Sequence, residues 1–186
     1  MFGTYFELGF DHILDMDGYD HILFVIALCA VYSISQWKQI LILVTAFTIG
    51  HCVTLILSGL KLVNISAYLI EFLIPLTILM TAIFNIIKGK PTDQKIRWNY
   101  ILALLFGLIH GLGFSNYFRA LIGKEENIIN MLFPFNLGVE LGQIVIVLCT
   151  LVIGYIVMNV FKTSQRDWNL IVSGAAAGIA ITLMIG

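Results

Sequence analysis

Apolar residues run through this chain in blocks of about 20, separated by short polar stretches. A block of that length, wound as an α-helix, matches the roughly 30 Å hydrocarbon core of a bilayer. The pattern predicts transmembrane spans over residues 20–35, 37–60, 65–87, 97–118, 132–161 and 168–186. Ahead of them, residues 1–19 form an acidic, aromatic lead-in, read as an interfacial or re-entrant helix. The clearest break is the polar loop 88–97. Pro75 falls inside the third span, where a proline can kink a helix. The run Ser173-Gly-Ala-Ala-Ala-Gly178 in the last span suits close helix packing. The expectation is an all-α polytopic membrane protein, one domain over 1–186, with six transmembrane helices in one bundle.

Basic residues orient that bundle. With the N-terminus outside, the inner loops hold Lys38, Lys88, Lys90, Lys95, Arg97, Lys162 and Arg166, and the outer ones only Lys61, Arg119 and Lys124. This asymmetry favours N- and C-termini outside a cytoplasmic (inner) membrane.

Polar residues at membrane depth carry the chemistry. Asn136, Glu140 and Gln143 are spaced i, i+4 and i+7 and share one helix face in an apolar run. A charged side chain there costs roughly 3 kcal/mol or more, so it turns to the bundle interior and finds a partner. The chain offers His12, Asp17, Asp20, His21, His51, Glu71 and His110. Placed on the predicted spans, Asp20, His21, His51, Glu71, His110 and the Asn136–Gln143 face all fall in the outer half of the bilayer. His12 has two readings, a solvated interfacial histidine or a site residue. Glu71 reads first as a structural partner for Ser66 or the Lys61 loop.

Composition narrows the class. Hydrophobic residues make up 60% of the chain and charged ones 11%, far from soluble proteins. A net charge of -1 with scattered basic residues leaves no face for nucleic acid. Three cysteines, all in apolar runs and odd in number, read as packing rather than a disulfide framework. The acidic N-terminus does not resemble a signal peptide, so no leader is expected to be removed.

Imidazole nitrogens with carboxylate oxygens suit a divalent transition ion such as nickel, zinc, iron, cobalt or manganese. The ligand set expected is Asp20, His21, His51, His110 and Glu140, with Asp17 an alternative contribution from the first span. Asn136 and Gln143 would orient those ligands through their amides. Glycines beside His51, His110 and Glu140 would let a neighbouring backbone or an ion approach closely. The competing view is that each histidine only hydrogen-bonds a neighbouring helix.

Two functions fit such a site. In the first, an ion is captured from outside and released inward, with Thr45, Thr48, Thr77, Thr81 and Asn85 as a thin polar continuation. The alternative is an intramembrane metal-dependent hydrolase acting on a lipid or peptide, with Glu140 or Asp20 as general base. A third possibility is an accessory protein that merely holds a metal. The partners expected are a metal ion and the lipid bilayer. On either active reading, Glu140→Gln is expected to abolish tight metal binding.

Four motifs, in order, resemble the HupE/UreJ family, and its more widespread second branch in particular. They are Gly9-Phe-Asp-His-Ile-Leu-Asp15 followed by Gly18-Tyr-Asp-His-Ile-Leu-Phe24; Thr45-Ala-Phe-Thr-Ile-Gly-His-Cys-Val-Thr-Leu55; Phe106-Gly-Leu-Ile-His-Gly-Leu-Gly-Phe-Ser115; and Phe135-Asn-Leu-Gly-Val-Glu-Leu-Gly-Gln143. These membrane proteins accompany hydrogenase and urease clusters and are proposed nickel permeases. The resemblance implies nickel and a site at Asp20, His21, His51, His110 and Glu140; with the donor chemistry above, nickel or zinc is the ion expected. Two positions depart from the nickel-permease pattern: His12 precedes Asp20 and His21 by seven intervening residues rather than five, and Gly107 stands where that pattern has a histidine.

Overall fold

The structure is a computed structural model and describes residues 2–63, 65–89, 93–122 and 128–185. Part of the expected polar loop, including Lys90, and Lys124 lie outside the described residues. Seven α-helices are described: α1 (Phe2–Leu14), α2 (Asp20–Cys29), α3 (Trp37–Gly59), α4 (Ala67–Lys88), α5 (Asp93–Ile122), α6 (Ile128–Val160) and α7 (Gln165–Ile185). No strand occurs among the described residues.

Five helices, α3 to α7, are long and apolar enough to cross a membrane. The expected first span over 20–35 is not one helix. α2 has ten residues, which rise about 15 Å, half the thickness of a hydrocarbon core. Buried Ala30, Val31 and Tyr32 continue the apolar run past its end, so hydropathy reads straight through a break in the backbone. The chain resumes through a single 3-10 turn, Ile34–Gln36, where Ser33 and Gln36 cap one another reciprocally. The lead-in is helical, as expected. It is a regular 13-residue helix, α1, packed on α6.

Glycines set the two tightest packings. A Cβ at Gly107 of α5 would lie 2.1 Å from the Phe47 carbonyl oxygen of α3, and one at Gly50 would lie 2.2 Å from the Leu104 carbonyl oxygen. Between α1 and α6 the same holds for Gly9, 2.0 Å from the Phe135 oxygen, and Gly138, 2.1 Å from the Phe6 oxygen. Only a missing side chain permits such backbone approach. By contrast, Gly174 and Gly178 of the small-residue run in α7 have nothing within 4 Å of an added Cβ. That helix packs on α4 through buried Ser173, Ala176 and Ala180 instead.

Candidate metal centre

The glycine-mediated contacts bring four histidines from four helices together. His51 of α3 and His110 of α5 sit beside the α3/α5 contact, and both are fully buried. Residues 15–19 interrupt the helical path between α1 and α2, so His12, near the end of one helix, meets His21, at the start of the next. Ring centroids lie 4.7 Å apart for His12 and His21, 5.0 Å for His21 and His110, 5.8 Å for His12 and His51, and 6.0 Å for His21 and His51. One ligand atom from each of His12, His21 and His51 falls within 4.8 Å of the others, and the same is true of Asp20, His21 and His110. Ligands around a tetrahedral ion at about 2.1 Å stand about 3.4 Å apart. The two groups, which share His21, are therefore wider than a bound ion would draw them.

Hydrogen bonds fix how two of the rings present themselves. His21 Nδ1 lies 3.1 Å from Asp20 Oδ1, and a carboxylate at that distance accepts the Nδ1 proton, which leaves His21 Nε2 bare. Thr77 has one hydroxyl hydrogen, and it goes to the Ile74 carbonyl at 2.7 Å. The 2.9 Å contact between Thr77 Oγ1 and His110 Nε2 is then donated by the ring, so the lone pair of His110 is on Nδ1. Among buried side-chain nitrogens, His12 Nε2, His21 Nε2, His110 Nδ1 and both nitrogens of His51 have no hydrogen-bond partner. Buried polar atoms are nearly always satisfied, and an unmade bond costs about 1 to 3 kcal/mol. Four adjacent rings with nitrogens free of protein partners therefore form groups that could hold a metal ion. Imidazole nitrogens and a carboxylate are a donor set that suits a divalent transition ion.

Asp20 plays an orienting part here. Its Oδ1 also accepts the His21 backbone N–H at 2.9 Å, at the first turn of α2. Such carboxylate–histidine pairs hold the tautomer and raise ligand basicity, and their loss weakens metal affinity 10- to 100-fold. Asp20→Asn is expected to weaken binding by about that factor, measurable by competition with a chelator of known affinity.

Aromatic rings enclose the cluster. Phe114 lies 4.1 Å from His12, Phe24 and Phe47 lie 5.2 and 5.1 Å from His110, and Phe135 lies 6.3 Å from His51. On one side the site opens to a cavity of about 240 Å³, whose polar lining includes Asp15 and Glu71 beside His12, Asp20, His21 and His110. Glu71 thus faces the mouth of the site.

The structure assembles Asp20, His21, His51 and His110, and adds His12, whose role the spacing left open. It does not bring Glu140 to them. Glu140 accepts the Thr45 hydroxyl at 2.5 Å and belongs to neither ligand group. Thr45 precedes His51 by six residues, about 9 Å along α3, so the carboxylate sits a turn and a half beyond the histidines. Gln143 is buried and accepts from Thr48 at 2.8 Å rather than from an imidazole. Asn136 donates to the Leu132 carbonyl, and its side chain lies beside the His51 ring. Asp17 is exposed, with its backbone N–H on Asp15 Oδ1. The sequence places Thr77 only in the polar continuation and gives no sign that it orients a ligand. Its position 33 residues from His110 in sequence carries no local signal.

A family model described as HupE / UreJ protein matches residues 1–185. Neither the curated proteins nor the solved structures provide a significant match.

Proposed function

The chain belongs to the HupE/UreJ family, and on that premise we propose that it is a multi-pass membrane permease for a divalent transition metal ion, nickel or zinc, bound as cargo by the histidine cluster. The observation that carries this reading is the set of buried, unpartnered nitrogens on His12, His21, His51 and His110. Asp20 orients His21, and Thr77 orients His110. An ion arriving through the cavity at Asp15 and Glu71 would meet acidic side chains first and imidazoles second, an order that attracts a hydrated cation before replacing its water. The distribution of basic residues supports an outward-facing histidine end. The hydrolase alternative has no observation in its favour, since Glu140 is engaged with Thr45 and Asp20 with His21.

Uptake of radioactive nickel or zinc into proteoliposomes tests the proposal. Saturable uptake above protein-free vesicles is expected, together with about one reversibly bound equivalent in detergent. A tightly held equivalent without uptake would make the ion a resident group and overturn transport. Glu140→Gln is now expected to leave equilibrium binding within about threefold of the parent, because its carboxylate lies outside both ligand groups. Isothermal titration checks this, and loss of binding would return Glu140 to the ligand set.

A further inference from the structure

We propose that the ion leaves the histidine cluster along one face of α4, past Thr77, Thr81 and Asn85. This rests on the permease reading and assigns its route. The three residues are spaced i, i+4 and i+8, so they form one polar stripe, and all three are buried. The stripe starts at the site itself, where Thr77 Oγ1 contacts His110 Nε2 at 2.9 Å. Thr81 donates its hydroxyl hydrogen to the Thr77 carbonyl at 2.9 Å, so the lone pairs of that oxygen are left as acceptors. Asn85 donates to the Ala27 carbonyl at 2.7 Å.

Cavities continue the stripe. A small one of about 40 Å³ is lined by Thr81, Asn85, Asn99, Tyr32 and Phe106. Beyond it a wider one of about 290 Å³ includes Asn169, Gln165 and Arg166 at the end of the bundle where α4 finishes and α7 begins. Asn169 connects the two by donating to the Asn85 carbonyl at 2.9 Å. The acidic entry cavity, the histidines, the hydroxyl stripe and the far cavity therefore follow one another through the bundle. Hydroxyl and amide oxygens in single file are the lining that passes a dehydrated cation from site to site.

The route is closed between the histidines and the small cavity. Phe24 packs on His110 and, edge to face, on Phe106 at 6.0 Å. These rings are its gate, and the far-side opening requires them to part.

The experiment is metal uptake by full-length chain in proteoliposomes, run beside equilibrium binding of the same metal in detergent. The variants are Thr81→Val, which keeps shape and removes the hydroxyl, and Thr81→Val with Asn85→Leu. Binding within about threefold of the parent, with uptake reduced several-fold in the single variant and at least tenfold in the double, supports the route. Because Asn85 also ties α4 to α2, the single variant keeps the test valid where the double one does not fold. Parental uptake in Thr81→Val and in a folded double variant overturns the route and leaves the permease reading standing. Binding without uptake in the parent chain itself overturns both.

Discussion

Replacing His51 or His110 by leucine is expected to reduce metal affinity by about two orders of magnitude. Four-ligand zinc sites bind with roughly 10 to 16 kcal/mol, or about 3 kcal/mol per ligand, and 1.4 kcal/mol is a factor of ten. Leucine approximately fills the space of the imidazole without offering a donor. The metal-free variants supply a second readout. His110 has a bare Nδ1 but bonds Thr77 through Nε2, so leucine there breaks one made bond; neither nitrogen of His51 has a hydrogen bond of good geometry, so removing that ring chiefly relieves unmade bonds. The melting midpoint of the metal-free His51→Leu chain is therefore expected to equal or exceed that of the parent. Histidines present only to hydrogen-bond neighbouring helices predict the reverse on both counts, with unchanged metal binding and a lower midpoint. His51 gives the cleaner readout of the two, because His110 also loses its bond to Thr77.

Most of this arrangement follows from rare polar groups in an apolar chain. Aligning His21, His51 and His110 at one depth needs only span boundaries and helix rise, and apolar runs give those boundaries to within a few residues for α3, α4, α6 and α7. The failures have physical causes. Hydropathy is blind to backbone breaks, so the buried apolar turn after Cys29 reads as helix and α2 as the start of a full span. One face also spans several depths: Asn136, Glu140 and Gln143 share a helix face, but while Asn136 lies beside His51, Glu140 meets Thr45 a turn and a half past the histidines and Gln143 meets Thr48. The sequence leaves His12 with two readings because it lies on a short helix outside any span, and its proximity to His21 depends on the turn at 15–19. Glycines beside the motif histidines pointed to close approach, and backbone packing between α3 and α5 is what they provide.

That packing leads to the other large effect, on a residue with no donor atom at all. Gly107→Ala is expected both to destabilise the chain and to disable metal binding. Its Cβ would lie 2.1 Å from the Phe47 carbonyl oxygen and 2.9 Å from the carbonyl carbon. Ordinary contact begins at 3.4 Å, so the gap must widen by 3.4 − 2.1, or 1.3 Å, and what opposes it is helix backbone rather than a mobile side-chain tip. Overpacking of this kind costs about 1 to 3 kcal/mol. α3 carries His51 and α5 carries His110, so any separation or sliding of these helices displaces one pair of ligands from the other. Metal sites tolerate deviations of only about 0.2 Å in bond length. A fall in the melting midpoint with at least tenfold weaker binding is the result expected. The control comes from the motif that looked most like a packing device in sequence. Gly174→Ala and Gly178→Ala place a methyl group in open space, and alanine is the better helix former by about 1 kcal/mol, so both should leave binding unchanged and the midpoint unchanged or higher. If Gly107→Ala behaved like these two, direct backbone contact between α3 and α5 would not be what holds the histidines in place.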